Sequence, residues 1–573
     1  MNRATLDSPA GRAADDGASA DPGEVAERAS VAALLRCCLR EVAGPRGQVW
    51  AAGPYLTLRL AGHLLRVPTS GGPALRFDGP AERLDQGAWH PLSLDRLVRL
   101  VETELGAGAA ASVNDEFAGQ VAGSRDVIAA LLRARRTAVP PGDAWLASEQ
   151  ALVFGHPFHP SPKAREGAGW ERYAPEAHAA FPLRLLGVRE DVVASGGEPG
   201  VLDALGEAPD GYVLLPAHPW QLRLLGARTA DALADGRLVD LGDAPGRAVP
   251  TSSVRTVYEP RIGICLKFSL DVRITNCVRK NAWYELTAAA ELTRRLEPVF
   301  GDLASRFPGT RWLAEPGYRS AALGTRLLEG LGVIVRRGPW EVTGPGVTPV
   351  LAGALAIPGY GARATSPKRD DGVGRVAEAM ARDPAGWWGD YVEQVAVPVL
   401  DAYFRHGVVL EPHLQNVLVG ISPEGMPVEA IFRDLEGTKL VTGRHDVSGL
   451  PDPAARAACY DATRGWNRVV YCVMVNHLPE IAATVAVTAA RAAAPARTEV
   501  PMVADELLRE LWAQARSRLA RYSAEHGRPL PLSDLLAGAP LPAKANLTAR
   551  WARSADRDAG YVPIANPFAG VPA

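Results

Sequence analysis

Lysine is nearly missing from this chain, supplying only six of the 62 basic residues among 573. Such a skew toward arginine follows GC-rich codon usage, which exchanges one cation for the other wherever a surface tolerates it. A lysine kept against that drift points to chemistry that a guanidinium cannot perform. The six are Lys163, Lys267, Lys280, Lys368, Lys439 and Lys544. Cysteine is equally sparse: Cys37, Cys38, Cys265, Cys277, Cys459 and Cys472, with no CxxC spacing. That argues against a zinc ribbon or a disulfide framework and reads as reduced, buried thiols, which fit a cytoplasmic enzyme. There is no GxxxxGK[ST] and no GxGxxG, since Gly359-Tyr360-Gly361 lacks the third glycine. A P-loop or Rossmann nucleotide site is therefore unsupported. The N-terminus shows no basic start followed by an apolar run, so no secretory signal is read there. The longest apolar stretch, Ile481 to Ala490, is too short to span a bilayer. A net charge of -2 and a pI near 6.6 provide no global basic field. Neither nucleic acid nor a membrane is an expected partner.

What is present is a chain able to bury a large core, 47% hydrophobic and 22% charged. Residues 1–20 are small and polar and read as a disordered tail. Asp21-Pro22-Gly23-Glu24 carries helix-start chemistry: a cap, a first-turn proline and an acid three residues after the cap. Residues 21–150 read as a helical and β region without chemistry of their own, and 151–373 collect polar residues in extended surroundings. Residues 340–373 are rich in Gly and Pro and predict a loop or boundary. Residues 374–573 are mainly helical around a hairpin-like stretch from Val408 to Leu440. The mixed order favours an α+β fold over a doubly wound sheet.

Three clusters carry chemistry. In Gly155-His156-Pro157-Phe158-His159-Pro160-Ser161-Pro162-Lys163 each histidine precedes a proline, which biases it to extended backbone and away from a helical zinc pair. Imidazoles and an ammonium fixed on a rigid loop suit phosphate oxygens, and a second His-Pro at His218 fits a packed aromatic corner equally well. Next come Ser253, Arg255 and Thr256, then the segment 261–275, which alternates as one strand: Ile262 to Ile274 on the core face, Lys267 on the other. Thr275-Asn276 reads as a cap and Cys277 to Asn281 as a first helical turn. Arg279 and Lys280 there suggest an anion site, with a substrate carboxylate the natural ligand. The third cluster sets Glu411, His413, Gln415, Asn416 and Asp434 into an otherwise apolar β pair. A carboxylate and an amide about one hairpin apart suit Mg²⁺ bridged to phosphates, a device kinases also use. His406, beside the helix-ending Gly407, reads as a cation compensating the helix dipole.

These stretches, GHPFHPSPK (155–163), TSSVRT (251–256), KFSLDVRITNCVR (267–279), EPHLQNVLV (411–419) and FRDLEG (432–437), together resemble the IucA/IucC family of NRPS-independent siderophore synthetases. LPAKANLTARW (541–551) is similar to the family's terminal ferric-reductase-like segment. The resemblance implies a hand-like α+β fold with largely antiparallel mixed sheets: thumb-like 21–150, fingers-like 151–373 and palm-like 374–573. It implies a homodimer, ATP and Mg²⁺, and an acyl-adenylate formed from a polycarboxylate and passed to an amine, hydroxylamine or alcohol. It places His156, Lys163, Ser253, Arg255, Thr256, Lys267, Gln415 and Asn416 on ATP. Thr275, Asn276, Arg279 and His413 fall on the carboxylate, and Glu411, Asn416 and Asp434 on the metal. Arg279, His413 and Lys267 would be catalytic. The residues alone leave open a kinase-like phosphotransferase, an ADP-forming acyl-phosphate ligase, or a siderophore- or metal-binding protein without turnover.

Overall fold

The computed structural model describes residues 20–107, 114–165, 167, 169–274, 277–360, 372–450, 452–494, 496, 499–554 and 559–570. Helix α1 (Pro22–Cys37) starts where its sequence says: the Asp21 carboxylate accepts the Glu24 N–H at 3.1 Å. It covers a sheet whose central pair, β1 (Tyr55–Leu60) and β2 (His63–Ser70), turns at Ala61-Gly62, both at positive φ. Alternation along that pair buries Leu58, Leu60, Leu65 and Val67. Helix α2 (Phe117–Arg135) closes this core, and Leu547 and Trp551, from near the other end of the chain, complete it. The short helix α3 (Ala144–Glu149) leads into the next core.

That core lies under a six-stranded antiparallel sheet built around β3 (Thr256–Glu259) and β4 (Ile264–Phe268). The strand expected over 261–275 breaks at Ser269, whose Oγ donates to the Glu329 carbonyl and accepts the Asn281 N–H. Beyond it, β5 (Leu270–Ile274) and β6 (Cys277–Arg279) form a hairpin. The helix expected from Cys277 is thus a strand, and α4 (Trp283–Arg306) begins later. The reason lies at Glu285: its carboxylate accepts the Ala282 N–H at 2.8 Å, the acid-after-cap signal that the basic 279–280 pair lacks. Strand β7 (Val333–Arg336) pairs with β4 on the far side from β3.

The third core joins α4 to α5 (Pro384–Phe404) and a four-stranded sheet. Its edge is β8 (Thr348–Leu351), within the Gly/Pro-rich stretch predicted as loop. Pro349 is tolerated because an edge strand can spare an N–H. Residues 361–371 of that stretch lie outside the described residues. The inner strands are β9 (Val417–Ile421) and β10 (Pro427–Phe432); β10 also takes Thr310–Trp312 in the sheet's parallel pairing. β11 (Lys439–Val441) follows, then α6 (Ala462–Val470), a π-helical stretch Tyr471–His477, and α7 (Leu478–Ala493). By length and hydropathy Ala462–Ala493 could cross a bilayer, but its apolar window is 89% buried against α5 and α8 (Val500–Glu525). The last pair is β12 (Leu541–Lys544) with β13 (Tyr561–Ile564). Mixed helices with largely antiparallel sheets match the α+β expectation.

Candidate active site

The three cores meet around one cavity of about 1910 Å³. His156, Lys163, Ser253, Arg255, Thr256, Lys267, Glu411, His413, Gln415, Asn416 and Asp434 all line it, although the sequence spreads them over nearly 280 positions. So do five of the six lysines, Lys163, Lys267, Lys280, Lys439 and Lys544. Lys368, Thr275 and Asn276 lie outside the described residues. Arg279 is placed by its backbone in β6, opposite Leu270.

The Thr251–Thr256 turn is held by backbone and hydroxyl bonds: Thr251 donates from N–H and Oγ1 to the Thr256 carbonyl, and Ser253 Oγ accepts the Thr256 N–H. Val254 sits at φ 67°, a genuine outlier for a β-branched residue, so the turn is over-determined by its neighbours. Glu149 supplies part of that support. Its carboxylate accepts the Ser252 N–H at 3.1 Å and pairs with Arg433 at 2.5 and 3.0 Å, both side chains buried.

Lys267 faces away from the Leu266–Phe268 core side as the alternation predicts, yet it is only 1% exposed. Its Nζ reaches Asp434 Oδ1 at 2.7 Å, Glu436 Oε2 at 2.9 Å and Glu315 Oε1 at 3.9 Å. Burial opposes the charge, but these carboxylates outweigh it and raise the ammonium's pKa. Arg336 and Arg255 close the network, on Asp434 at 3.2 Å and Glu436 at 2.8 Å. Against their own desolvation, these cations hold Asp434 well below the usual carboxylate range and Glu436 at about 2. Asp434, like Val254, has positive φ, at 73°.

Glu411 lies against the turn that carries Asp434: a Cβ added to Gly437 would meet Glu411 Oε2 at 2.7 Å. Arg468 pairs with Glu411 at 2.7 Å. Asn416 Nδ2 is 3.1 Å from His413 Nε2, and Gln415 Nε2 3.4 Å from Ser252 Oγ. Burial pushes His413 down to about 4, so at neutral pH its imidazole is uncharged. His156, lowered to about 3 by burial, sits 2.7 Å from the Asn476 amide. Lys163 is paired with Glu176, which Arg165 also grips at 2.7 and 2.8 Å.

Two of the histidines singled out in the sequence do not line the wall. His218 caps a short helix through Trp220 N–H and packs on Tyr173, Phe181 and Phe268, the aromatic corner. His406 Nε2 lies 2.9 Å from Asp302. Sequence reasoning missed Glu149, Glu176, Glu315, Arg336 and Arg468, none of which carries a local signal. Arg433 and Glu436 stood in the FRDLEG stretch without being singled out. The region before residue 150, read as lacking chemistry, in fact contributes Arg36, Arg76 and Asp78 to the cavity wall.

The sequence model of the IucA / IucC family matches residues 144–357. The N(2)-citryl-N(6)-acetyl-N(6)-hydroxylysine synthase of Escherichia coli is 30% identical over 401 residues, 65% of this chain and 67% of that protein. The chain belongs to the IucA/IucC family. A second model, described as ferric iron reductase FhuF-like transporter, matches residues 385–498, upstream of the 541–551 segment. The rhizobactin siderophore biosynthesis protein RhbC of Rhizobium meliloti (strain 1021) is 35% identical over 344 residues, 55% of this chain and 58% of that one. The L-2,3-diaminopropanoate–citrate ligase of Staphylococcus aureus is 29% identical over 455 residues, 74% and 73% of the two chains. Among solved structures, the ATP-bound aerobactin synthetase IucA of Klebsiella pneumoniae superposes with a TM-score of 0.76 at 23% identity, covering 95% of this chain and 99% of that one. This last likeness shows that the IucA/IucC fold is kept at low identity.

Proposed function

We propose that this IucA/IucC chain is an ATP-dependent ligase of siderophore biosynthesis that adenylates a polycarboxylate, with citrate the first candidate, and joins it to an amine, hydroxylamine or alcohol. One observation carries the reading: phosphate-type donors (Ser253, Arg255, Thr256, Lys267) and an acidic group (Glu411, Asp434, Glu436) share one cavity with the neutral His413. A carboxylate oxygen attacks the α-phosphorus, the bond to pyrophosphate breaks, and an acyl-adenylate results. The acceptor then attacks the acyl carbon and AMP leaves. Bringing two anions together requires fixed cations, and Lys267 and Arg255 are held rigidly by their carboxylate partners. Arg468, Lys439 and Lys544, which share the cavity with His413, would take the remaining carboxylates of the acid, together with Arg279. Several relatives are named for citrate or its citryl products, which supports the choice of acid.

The residues present fit a magnesium ion. Glu411 and Asp434 offer hard oxygen donors, and the missing Gly437 side chain leaves room between Glu411 and the Asp434 turn. Bound there, the metal would neutralise phosphate charge. The homodimer belongs to the same proposal, and light scattering tests it. Protein, ATP, Mg²⁺, citrate and hydroxylamine should yield pyrophosphate, AMP and a citryl hydroxamate. Release of ADP, or no acid-dependent turnover with any polycarboxylate, would overturn the reading.

A further inference from the structure

At about 1910 Å³ the cavity is roughly twice the upper end of ordinary small-molecule sites, about 1,000 Å³. Many of its charges are already paired with each other: Lys267 with Asp434, Lys163 with Glu176, Arg255 with Glu436, Arg468 with Glu411. One lobe differs. It lies between α1, the end of β2 and one face of α7, where Glu480, Val487 and Arg491 recur at helical spacing. Among the described residues, the Glu480 carboxylate makes no ion pair and no hydrogen bond; only its backbone carbonyl is used, by Arg76 and Thr484. Arg36 donates from Nε to the Leu75 carbonyl at 2.7 Å and stacks on Phe77, leaving both terminal nitrogens unpaired. Among the described residues Arg491 likewise makes no hydrogen bond or ion pair. Burial pushes the Glu480 carboxyl up, with Arg76 and Arg36 acting against it.

A carboxylate and guanidinium groups that line one cavity without pairing to each other fit a ligand that carries both charges. Phosphate is provided for at the Ser253–Lys267 wall, and adenine needs neither charge. A polyamine would meet Arg36, Arg76 and Arg491 with only Glu480 and Asp78 in its favour, and Asp78 already accepts from Ser70. A second polycarboxylate would meet Glu480. We propose that this lobe binds the acceptor, and that the acceptor is an amino-acid-type amine: its carboxylate on Arg36 and its ammonium end toward Glu480. The inference rests on the ligase reading and deepens it. The free amine forms the C–N bond as the acyl C–O bond to AMP breaks, and the amine's proton goes to water.

The test uses the full chain with ATP, Mg²⁺ and citrate. Hydroxamate formation with hydroxylamine reports adenylation alone. Acceptors are then compared in pairs that differ only in the carboxylate: 2,3-diaminopropanoate against 1,2-diaminoethane, and ornithine against putrescine. The acid-bearing member should win by about tenfold or more in kcat/KM, the scale of one charge-assisted contact. In Arg36→Ala that ratio should fall to near unity, and Glu480→Gln should raise the acceptor KM. Equal use of the two members, a preference for the diamine, or a preference that survives Arg36→Ala would overturn the inference while hydroxamate still forms. Failure to form hydroxamate at all would instead sink the ligase reading, and this one with it.

Discussion

Lys267 and Asp434 stand 167 positions apart in sequence and 2.7 Å apart in space. The contact ties the central strand of one sheet to the turn after the hairpin of another, and both residues line the same cavity. An ammonium with three rotatable donors serves Asp434, Glu436 and Glu315 at once; a planar guanidinium has a different fork and more bulk. Lys267→Ala should therefore lower acid-dependent pyrophosphate release by about hundredfold or more, the scale of losing one preorganised donor. Lys267→Arg should also impair it, with the ATP KM raised. Near-normal turnover in Lys267→Arg would show that any cation suffices.

Gly437 predicts a second effect. Its Cα approaches Glu411 so closely that an alanine methyl would meet Oε2 at 2.7 Å. Gly437 has no positive φ, so Gly437→Ala acts through that contact and not through backbone strain. Glu411 must shift, and the Mg²⁺ concentration for half-maximal turnover should rise several-fold with little change in the thermal midpoint. An unchanged Mg²⁺ requirement would remove Glu411 from the metal side of the site.

How much of this was readable from the chain depends on the range of each interaction. The α1 cap is legible because Asp21 and Glu24 are three residues apart. The Val408–Leu440 hairpin is legible because Ser422-Pro423-Glu424-Gly425 marks a turn between two mostly apolar runs that a few polar residues interrupt. Glu149 left no trace: one partner, the Trp145 indole N–H, is four residues away, but those that tie it to the site are 103 and 284 positions away, and a lone Glu at the end of a short helix is unremarkable locally. The same holds for Arg36, Arg76 and Glu480, which meet only when α7 packs beside the N-terminal sheet. The false helix at Cys277 shows the converse, a local cap signal at Thr275-Asn276 that lost to the pairing of β5 with β6. Lysine scarcity bridged part of the gap. It marks a position by the need for an ammonium, whatever the distance to the partner.

Glu149 and Arg433 make a third prediction. Their side chains are 0% and 5% exposed, so removing one leaves a buried charge without its counter-ion. Glu149→Leu should cost about 3–5 kcal/mol, and pairing it with Arg433→Met should recover a large part of that. With three cores the chain need not unfold in one step, so the comparison is of thermal midpoints. Equal midpoints for the single and double variants would show that the pair is not coupled.

His218 and His477 are 1% and 0% exposed, and burial lowers them to about 3 and about 4. Above pH 6.5 both are neutral whether the chain is folded or not, and no pH dependence arises from them. As the pH falls below 6.5, the unfolded chain binds a proton at each that the native state refuses. Stability therefore drops, approaching a slope of about 1.4 kcal/mol per pH unit for each histidine until the native pKa is reached. The depressed carboxylates, such as Glu436 at about 2, push in the same direction, but only below the ordinary glutamate range near 4.5. Glu41, raised to about 7 by burial, takes up its proton in the native state over the same range and offsets part of that loss. His156, His178 and His413 are lowered as well, so the thermal midpoint should still fall between pH 6.5 and 5. His218→Asn keeps an acceptor for the Trp220 N–H and removes the titrating ring, so it should flatten that part of the profile. A profile of unchanged slope in His218→Asn would show that His218 already binds its proton in the native state.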